Sequence, residues 1–432
     1  MKHDVVLINP PQANSLDDHL DPPLGLLYLA SNLEMNNIDV RIADLSSRPE
    51  KEWSELIGES DIFGITVFSA SYNVSKKIAG MAKKQNPGAI VIAGGPHATS
   101  MPEQTTSFPE FDSALKGEGE SEFVNMVRDF RSGQTLPKIV PAKRLENLDD
   151  FPDPARHLVD IRGYHRTVEG TPSTSMITSR GCPYSCNFCC KDIHGTKIRF
   201  RSVERVVREV EQVKNNYGID SFLFYDDVFA INIHGRLKEL TDHFKKLDIH
   251  FRCNGRVGMT KPEDYAMLKE AGCDEIAFGI ESGSQRMLNI FDKGVTVGQN
   301  SLALKQAKEA GLKTKAYLMT GFPGETQESI DETKRFIEMA DPDKFTVFAF
   351  VPLPGCDVWK HPGRYGVTHL SQDWDQYFNI AGQYEGGVTF DTKNLSRAEF
   401  RRLHDELVRY VMQKGQRGSL EKYYESVSLE KK

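Results

Sequence analysis

Four of the chain's seven cysteines lie within nine residues, in the stretch Ser179-Arg180-Gly181-Cys182-Pro183-Tyr184-Ser185-Cys186-Asn187-Phe188-Cys189-Cys190. Three of them, Cys182, Cys186 and Cys189, read Cys-x-x-x-Cys-x-aromatic-Cys. Thiolates this close on one loop can converge on one metal centre with little loss of loop entropy. Structural zinc sites close with four ligands, usually as two separated pairs, and no second pair follows downstream. Nothing in the chain looks secreted, which argues against a disulfide. Three thiolates leave a fourth position open, and that suits an iron-sulfur centre that does chemistry.

The loop is set in a chain of alternating strands and helices. Apolar runs at Val5–Ile8, Asp39–Ala43, Ile62–Val67, Ala89–Ala93 and Ser113–Lys116 alternate with helical patterns up to about residue 135. Near-continuous apolar strands alternating with helices predict a parallel sheet covered on both faces. Residues 1–135 are therefore expected to form a doubly wound, flavodoxin-like α/β domain with its ligand at the carboxyl ends of the strands. Residues 136–172, rich in proline and glycine, read as a linker. From residue 173 to 355 six further strand-helix units follow, short of the eight that close a barrel, so a partial (βα)6 barrel is expected. Residues 356–432 read as a mixed, mainly helical region that caps the substrate side. Trp359, Tyr365, Trp374, Tyr377 and Phe378 suit plain packing there, and Ser396 with Glu399 predicts a capped helix to about Gln413. Lys414 to Lys432 is strongly charged.

A net charge of -7 and a pI near 6.0 argue against a nucleic-acid partner. No apolar run approaches the roughly 18 residues of a membrane span. The first ten residues read as a strand rather than a signal peptide. An odd, clustered cysteine set fits a reducing compartment, so a cytoplasmic protein is expected.

The loops past the strands carry the candidate residues. In the first domain these are Asn9-Pro10-Pro11, Gly94-Gly95-Pro96-His97 and Gly117-Glu118-Gly119, where glycine lets backbone approach a large ligand. In the barrel they are Asp226-Asp227, Asn254 with Arg256, Glu281-Ser282-Gly283, Gly321 to Thr326, and Pro352 to Gly355. The Asp pair suits an ammonium group, or else a turn or helix cap. Cys253 and Cys356 either face the site or are buried thiols, and Cys273 reads as a buried one.

The cysteine triad resembles the cluster motif of the radical S-adenosylmethionine (SAM) superfamily. Residues 1–135 resemble the cobalamin-binding domain attached to one branch of it. The resemblance implies a 4Fe-4S cluster on Cys182, Cys186 and Cys189, with Cys190 a bystander. It implies SAM held near Phe188, Asp226, Asp227, Asn254, Arg256, Glu281, Ser282 and Gly321. It implies cobalamin against Pro10, Gly94, Gly95, His97, Glu118 and Gly119. The Asp-x-His-x-x-Gly pattern of histidine-ligated cobalamin domains is absent, so His97 is not assigned to cobalt; an ordinary loop histidine fits it equally. The activity implied is methylation of an unactivated carbon by way of a 5'-deoxyadenosyl radical, with electrons from a donor such as flavodoxin or ferredoxin. A non-methylating rearrangement or cyclisation is the alternative, and a non-catalytic carrier is another. A small-molecule substrate is expected, with a peptide also open.

Overall fold

In the computed structural model, residues 2–12, 15, 17–378 and 389–414 are described. The expected charged tail beyond Lys414 lies outside them. The chain forms two compact units, Met1–Arg166 with Cys190–Ser202, and Thr167–Cys189 with Val203–Lys432.

The first unit holds a six-stranded sheet: β1 (His3–Asn9), β2 (Val40–Asp44), β3 (Ser60–Thr66), β4 (Ile90–Gly94), β5 (Ser113–Lys116) and β6 (Ile139–Pro141). All are parallel, in the order 2-1-3-4-5-6. Val5, Val6, Leu7 and Ile8 are fully buried, as a strand covered on both faces requires. Gly64 in β3 is needed for this packing: a Cβ there would lie 2.7 Å from Leu7 and 2.8 Å from Phe123. The sheet order reverses between β1 and β3, and in open α/β sheets ligands bind at that point, outside the carboxyl ends.

The stretch expected to link the domains belongs to the first unit as far as Arg166. β6 extends the sheet beyond the five strands expected; it is three residues long, and proline is tolerated on such an edge. Polar anchors hold the chain beyond β6: Tyr164 donates to Asp44 at 2.6 Å, Arg201 to Asp153 at 2.6 Å, and Arg166 pairs with Asp21. Single anchors of this kind leave no periodic trace in a sequence.

The second unit is built on β7 (Thr174–Met176), β8 (Ser221–Phe224), β9 (His250–Gly255), β10 (Cys273–Glu281), β11 (Lys313–Thr320) and β12 (Lys344–Ala349). They pair in sequential order and all in parallel, as the partial barrel predicts. Phe222, Phe224, Phe244 and Phe251 fill the helix side, with Phe224 stacked 5.4 Å from Phe244. The C-terminal helix, Arg397–Gln413, starts at the predicted capping box: Ser396 Oγ accepts from Glu399 N–H at 3.2 Å, and the Glu399 carboxylate accepts in return. Trp359, Trp374 and Tyr377 pack on one another within 6.0 Å.

Candidate active site

The cysteine loop leaves the end of β7, and the acidic pair past β8 holds its first turn. Asp226 is 1% exposed and accepts from Thr178 N–H (3.0 Å), Thr178 Oγ1 (2.7 Å) and Ser179 Oγ (2.5 Å). Burial pushes its carboxyl up, against these donors. Asp226 therefore clamps the loop instead of facing SAM as expected, because its oxygens are engaged below the surface. Exposed Asp227 accepts from Gly181 N–H at 3.1 Å. Gly181 has φ +96°, a conformation that favours glycine at the turn into Cys182.

Of the three candidate ligands Cys186 is buried, Cys182 half-buried and Cys189 exposed. The Cys189 thiol, followed by the Lys293 and Arg256 cations, pulls Cys186 down to about 6; the same pairing pushes Cys189 up. One Arg256 Nη lies 3.7 Å from Cys186 Sγ, and its guanidinium lies 3.3 Å from the centre of the Tyr184 ring. The other Nη donates to the Lys293 carbonyl. Lys293 in turn pairs with Glu281 at 2.8 Å and lies 5.7 Å from the Phe188 ring centre. Glu281 has φ +64°, strained for a non-glycine residue and found mainly at functional sites. A Cβ on Gly279 would strike that pair, 2.4 Å from Glu281 Oε1.

This donor set fits an anionic thiolate-ligated cluster, since three thiols share a loop with two buried cations beside one of them. Among the described residues no three His, Cys, Asp or Glu side chains close on a single ion. A cubane cluster offers each thiolate its own iron, so it asks for wider spacing than one ion does. Cys190 belongs to the first unit, 3.6 Å from Ser100 Oγ. Cys253 and Cys273 are fully buried with sulfurs 3.9 Å apart, and Cys356 caps a short helix by accepting from Trp359 N–H.

The remaining expected SAM residues line the same strand ends. Asn254 donates to the Asp226 carbonyl at 3.3 Å. Ser282 is buried, 3.2 Å from Thr333 Oγ1, and so braces its loop rather than opening toward a ligand. Gly321, with φ +81°, lies beneath Phe400 of the C-terminal helix; a Cβ would come within 1.7 Å of that ring. Glu325 ties this loop by accepting from Gly321 N–H and Ser329 Oγ, and burial raises its carboxyl to about 7. Lys293 and Tyr184 were not singled out in the sequence. Neither belongs to a spaced pattern, and only the fold brings Lys293 to the cysteine loop.

In the first unit the cradle is mostly backbone. Gly94 has open space where a Cβ would be, and Gly95, at φ +88°, lies against Thr66 and Val67. Gly119 packs against Leu115 and Leu29, while Pro10 is buried at the end of β1. Glycines at the carboxyl ends of these strands suit the close approach of a large flat ligand. Two expected contacts are placed otherwise. Glu118 is 3% exposed, holds Arg199 through both oxygens at 2.7 Å, and accepts from Leu145 N–H and His194. Its acceptors are filled by the chain itself, so it anchors residues 190–202. His97 is fully buried, 3.0 Å from Ser69 Oγ, with its ring tilted against that of Tyr72 at 4.5 Å between centres, and burial lowers it to about 4.

The model of the radical SAM superfamily matches residues 176–337, and that of the B12-binding domain residues 19–127. An uncharacterised methyltransferase of Pyrococcus horikoshii is 32% identical over 402 residues, covering 87% of this chain and 86% of its own. The chain belongs to the radical SAM superfamily, in its B12-binding branch. It is an enzyme of that family, whose cofactors are a 4Fe-4S cluster, SAM and cobalamin. An anaerobic magnesium-protoporphyrin IX monomethyl ester cyclase of Cereibacter sphaeroides is 27% identical over 68% of this chain, which spans 53% of that protein. The fold is shared with the radical SAM methyltransferase TsrM of Kitasatospora setae, solved with cobalamin and a [4Fe-4S] cluster bound. That likeness has a TM-score of 0.71 and 17% identity, and it covers 94% of this chain and 91% of TsrM. Among the described residues of this radical SAM enzyme, no helix is long and apolar enough to cross a membrane.

Proposed function

We propose that this radical SAM enzyme methylates an unactivated carbon of a small molecule, drawing electrons from an external donor such as a flavodoxin or ferredoxin. When bound, the three cofactors supply reductive cleavage of SAM and a carrier for its methyl group. Cys182, Cys186 and Cys189 hold the cluster, and Arg256 and Lys293 offset the negative charge on its sulfurs. Asp227 and Asn254 orient SAM at the strand ends, Glu281 meets its hydroxyls while held by Lys293, and the Gly321 backbone lies along its base. Phe188 and the Tyr184–Arg256 stack keep water from the cluster side. Pro10, Gly94, Gly95 and Gly119 present backbone to cobalamin.

The observation that carries this reading is the three-cysteine loop with Arg256 against Cys186, in a chain whose other unit matches a B12-binding domain. The methyltransferase relative covers nearly the whole of both chains, which supports methyl transfer. A second reading, ring closure without methyl transfer, is favoured by the cyclase relative. Anaerobic reconstitution with iron, sulfide and hydroxocobalamin tests the first step, by the absorbance of both cofactors. Cluster without cobalamin would sink the proposal. Turnover with methyl-labelled SAM then separates the readings, because a product formed without label moves the assignment to cyclisation.

A further inference from the structure

Arg256 follows the last residue of β9, and it is 7% exposed. One Nη lies 3.7 Å from Cys186 Sγ, the other donates to the Lys293 carbonyl, and the guanidinium lies 3.3 Å from the centre of the Tyr184 ring. Its Nε is buried without a hydrogen-bond partner. Other buried cations nearby have a carboxylate: Arg252 meets Glu275 at 2.8 Å, and Lys293 meets Glu281 at 2.8 Å. Among the described residues none pairs with Arg256. Burying a cation without a counter-charge is costly, and a guanidinium cannot escape the cost by losing its proton. Such a group fits a site whose negative charge arrives with the ligand.

The fold also fixes where that charge sits. Asn187 N–H donates to the Phe291 carbonyl at 2.9 Å and Asn187 Nδ2 to the Ile290 carbonyl at 2.7 Å. Ser185 Oγ donates to Asp292 at 3.0 Å, and the Phe188 ring meets that of Phe291 edge-on at 5.9 Å. The loop that carries Cys186 is thereby tied to the segment that ends at Lys293. Arg256 spans the two, with one Nη on each. Lys293 and Glu281, by contrast, are opposite charges in contact, so their fields largely cancel a few ångströms away.

We infer that Arg256 is a positioning residue that sets the reduction potential of the cluster, and that the Lys293–Glu281 pair contributes little to it. Net charge and hydrogen bonds to the sulfurs are what tune such a potential. Three thiolates leave the oxidised cluster with a net negative charge, and the one electron taken from the external donor adds to it. A fixed cation against Cys186 favours that uptake, and no bond of the protein forms or breaks. The inference rests on the cluster assignment of the function proposed above, and it holds whatever SAM then methylates.

The test leaves SAM out, so methyl transfer plays no part in it. The full chain is reconstituted with iron and sulfide, its iron and sulfide content is measured, and it is titrated with dithionite through redox mediators. The reduced cluster is counted by its paramagnetic resonance signal. Arg256→Met should lower the ratio of reduced to oxidised cluster at a fixed potential about tenfold, ~59 mV for one electron. Arg256→Gln keeps an N–H donor without the charge and should shift the ratio in the same direction, which covers a Met variant that does not load. Arg256→Lys should restore most of the ratio. Lys293→Met combined with Glu281→Gln removes both charges of the pair and should move the ratio less than about threefold. No shift in either uncharged Arg256 variant, no restoration in Arg256→Lys, or a shift in the double variant as large as in Arg256→Met would overturn this inference alone. A wild-type chain that holds no cluster would overturn it together with the function proposed above.

Discussion

The two sheets of this enzyme prepare ligand sites by opposite means. In the first unit the buried charged and ionisable groups near the strand ends are engaged by the chain itself: Glu118 by Arg199 and Leu145, His97 by Ser69. What faces outward there is glycine backbone, open at Gly94. In the second unit the strand ends and lumen hold thiols, cations and an unpartnered hydroxyl. A site made of backbone recognises shape, and its side chains can change with little cost to recognition. A site lined by thiols and buried cations depends on charge and chemistry, and each member matters to it. Mutations should therefore separate the units by what is lost: folding in the first, chemistry in the second.

The largest expected effect is on the cysteine loop. Cys186→Ala should abolish the 4Fe-4S absorbance after reconstitution, whereas Cys190→Ala should leave iron and sulfide content near normal. The two thiols are four residues apart, yet Cys190 lies in the first unit beside Ser100. Cluster lost in Cys190→Ala and kept in Cys186→Ala would mean that the motif register is wrong.

That contrast shows what the sequence could carry. The triad stood out because its three cysteines have the spacing along the chain that a ligating loop would impose. Among the described residues, the strands of the two six-stranded sheets were nearly all legible because burial on both faces imposes apolar runs, as at Val5–Ile8. β6, with three residues ending in a proline, lacked such a run. Asp226 and Glu118 were located correctly at strand ends, but their partners were not, because Thr178, Ser179 and Arg199 are ordinary residues until folding brings them close. Lys315 passed as part of a strand, since a single buried cation does not disturb an apolar pattern.

Next in size is Glu118→Gln. Breaking one side of a buried ion pair costs about 3–5 kcal/mol, because the other charge is left buried. Arg199 is 5% exposed and would be that charge. Hydrogen exchange should show the loss in the first-unit strands, with the second-unit strands little changed. A loss under about 1 kcal/mol would mean that the pair behaves like a surface one, and the first unit would not be organised as described.

Glu325 sharpens the second unit through pH. Its folded value, about 7, is raised above the ordinary 4.5 by burial. The folded state then holds a proton that the unfolded state has released, so stability is full below about 4.5 and falls as pH rises through 7. A rise of this size corresponds to at most about 3 kcal/mol at pH 8. Glu325→Gln keeps an acceptor for Gly321 and removes the charge, so urea midpoints should exceed wild type at pH 8 and match it near pH 5. A midpoint lower than wild type at pH 8 would show that the ionised form is the one the loop needs.

The smallest expected effect belongs to His97, and it bears most directly on how the first unit holds its ligand. The imidazole is fully buried, lowered to about 4 and so neutral at pH 7, with Nδ1 against Ser69 and its face against Tyr72. Its contribution to stability is complete above about 6.5 and is lost as pH falls toward 4, because the unfolded state takes up the proton first. A ring packed in this way is a core residue that happens to sit beside a glycine loop. Labelling the protein with 15N-histidine should therefore leave the paramagnetic resonance spectrum of bound cob(II)alamin unchanged, and His97→Gln should not alter it. A change in nitrogen splitting on labelling that disappears in His97→Gln would place the imidazole on cobalt. The first unit would then recognise its ligand by a side chain after all, and the contrast between the two sheets would fail at its centre.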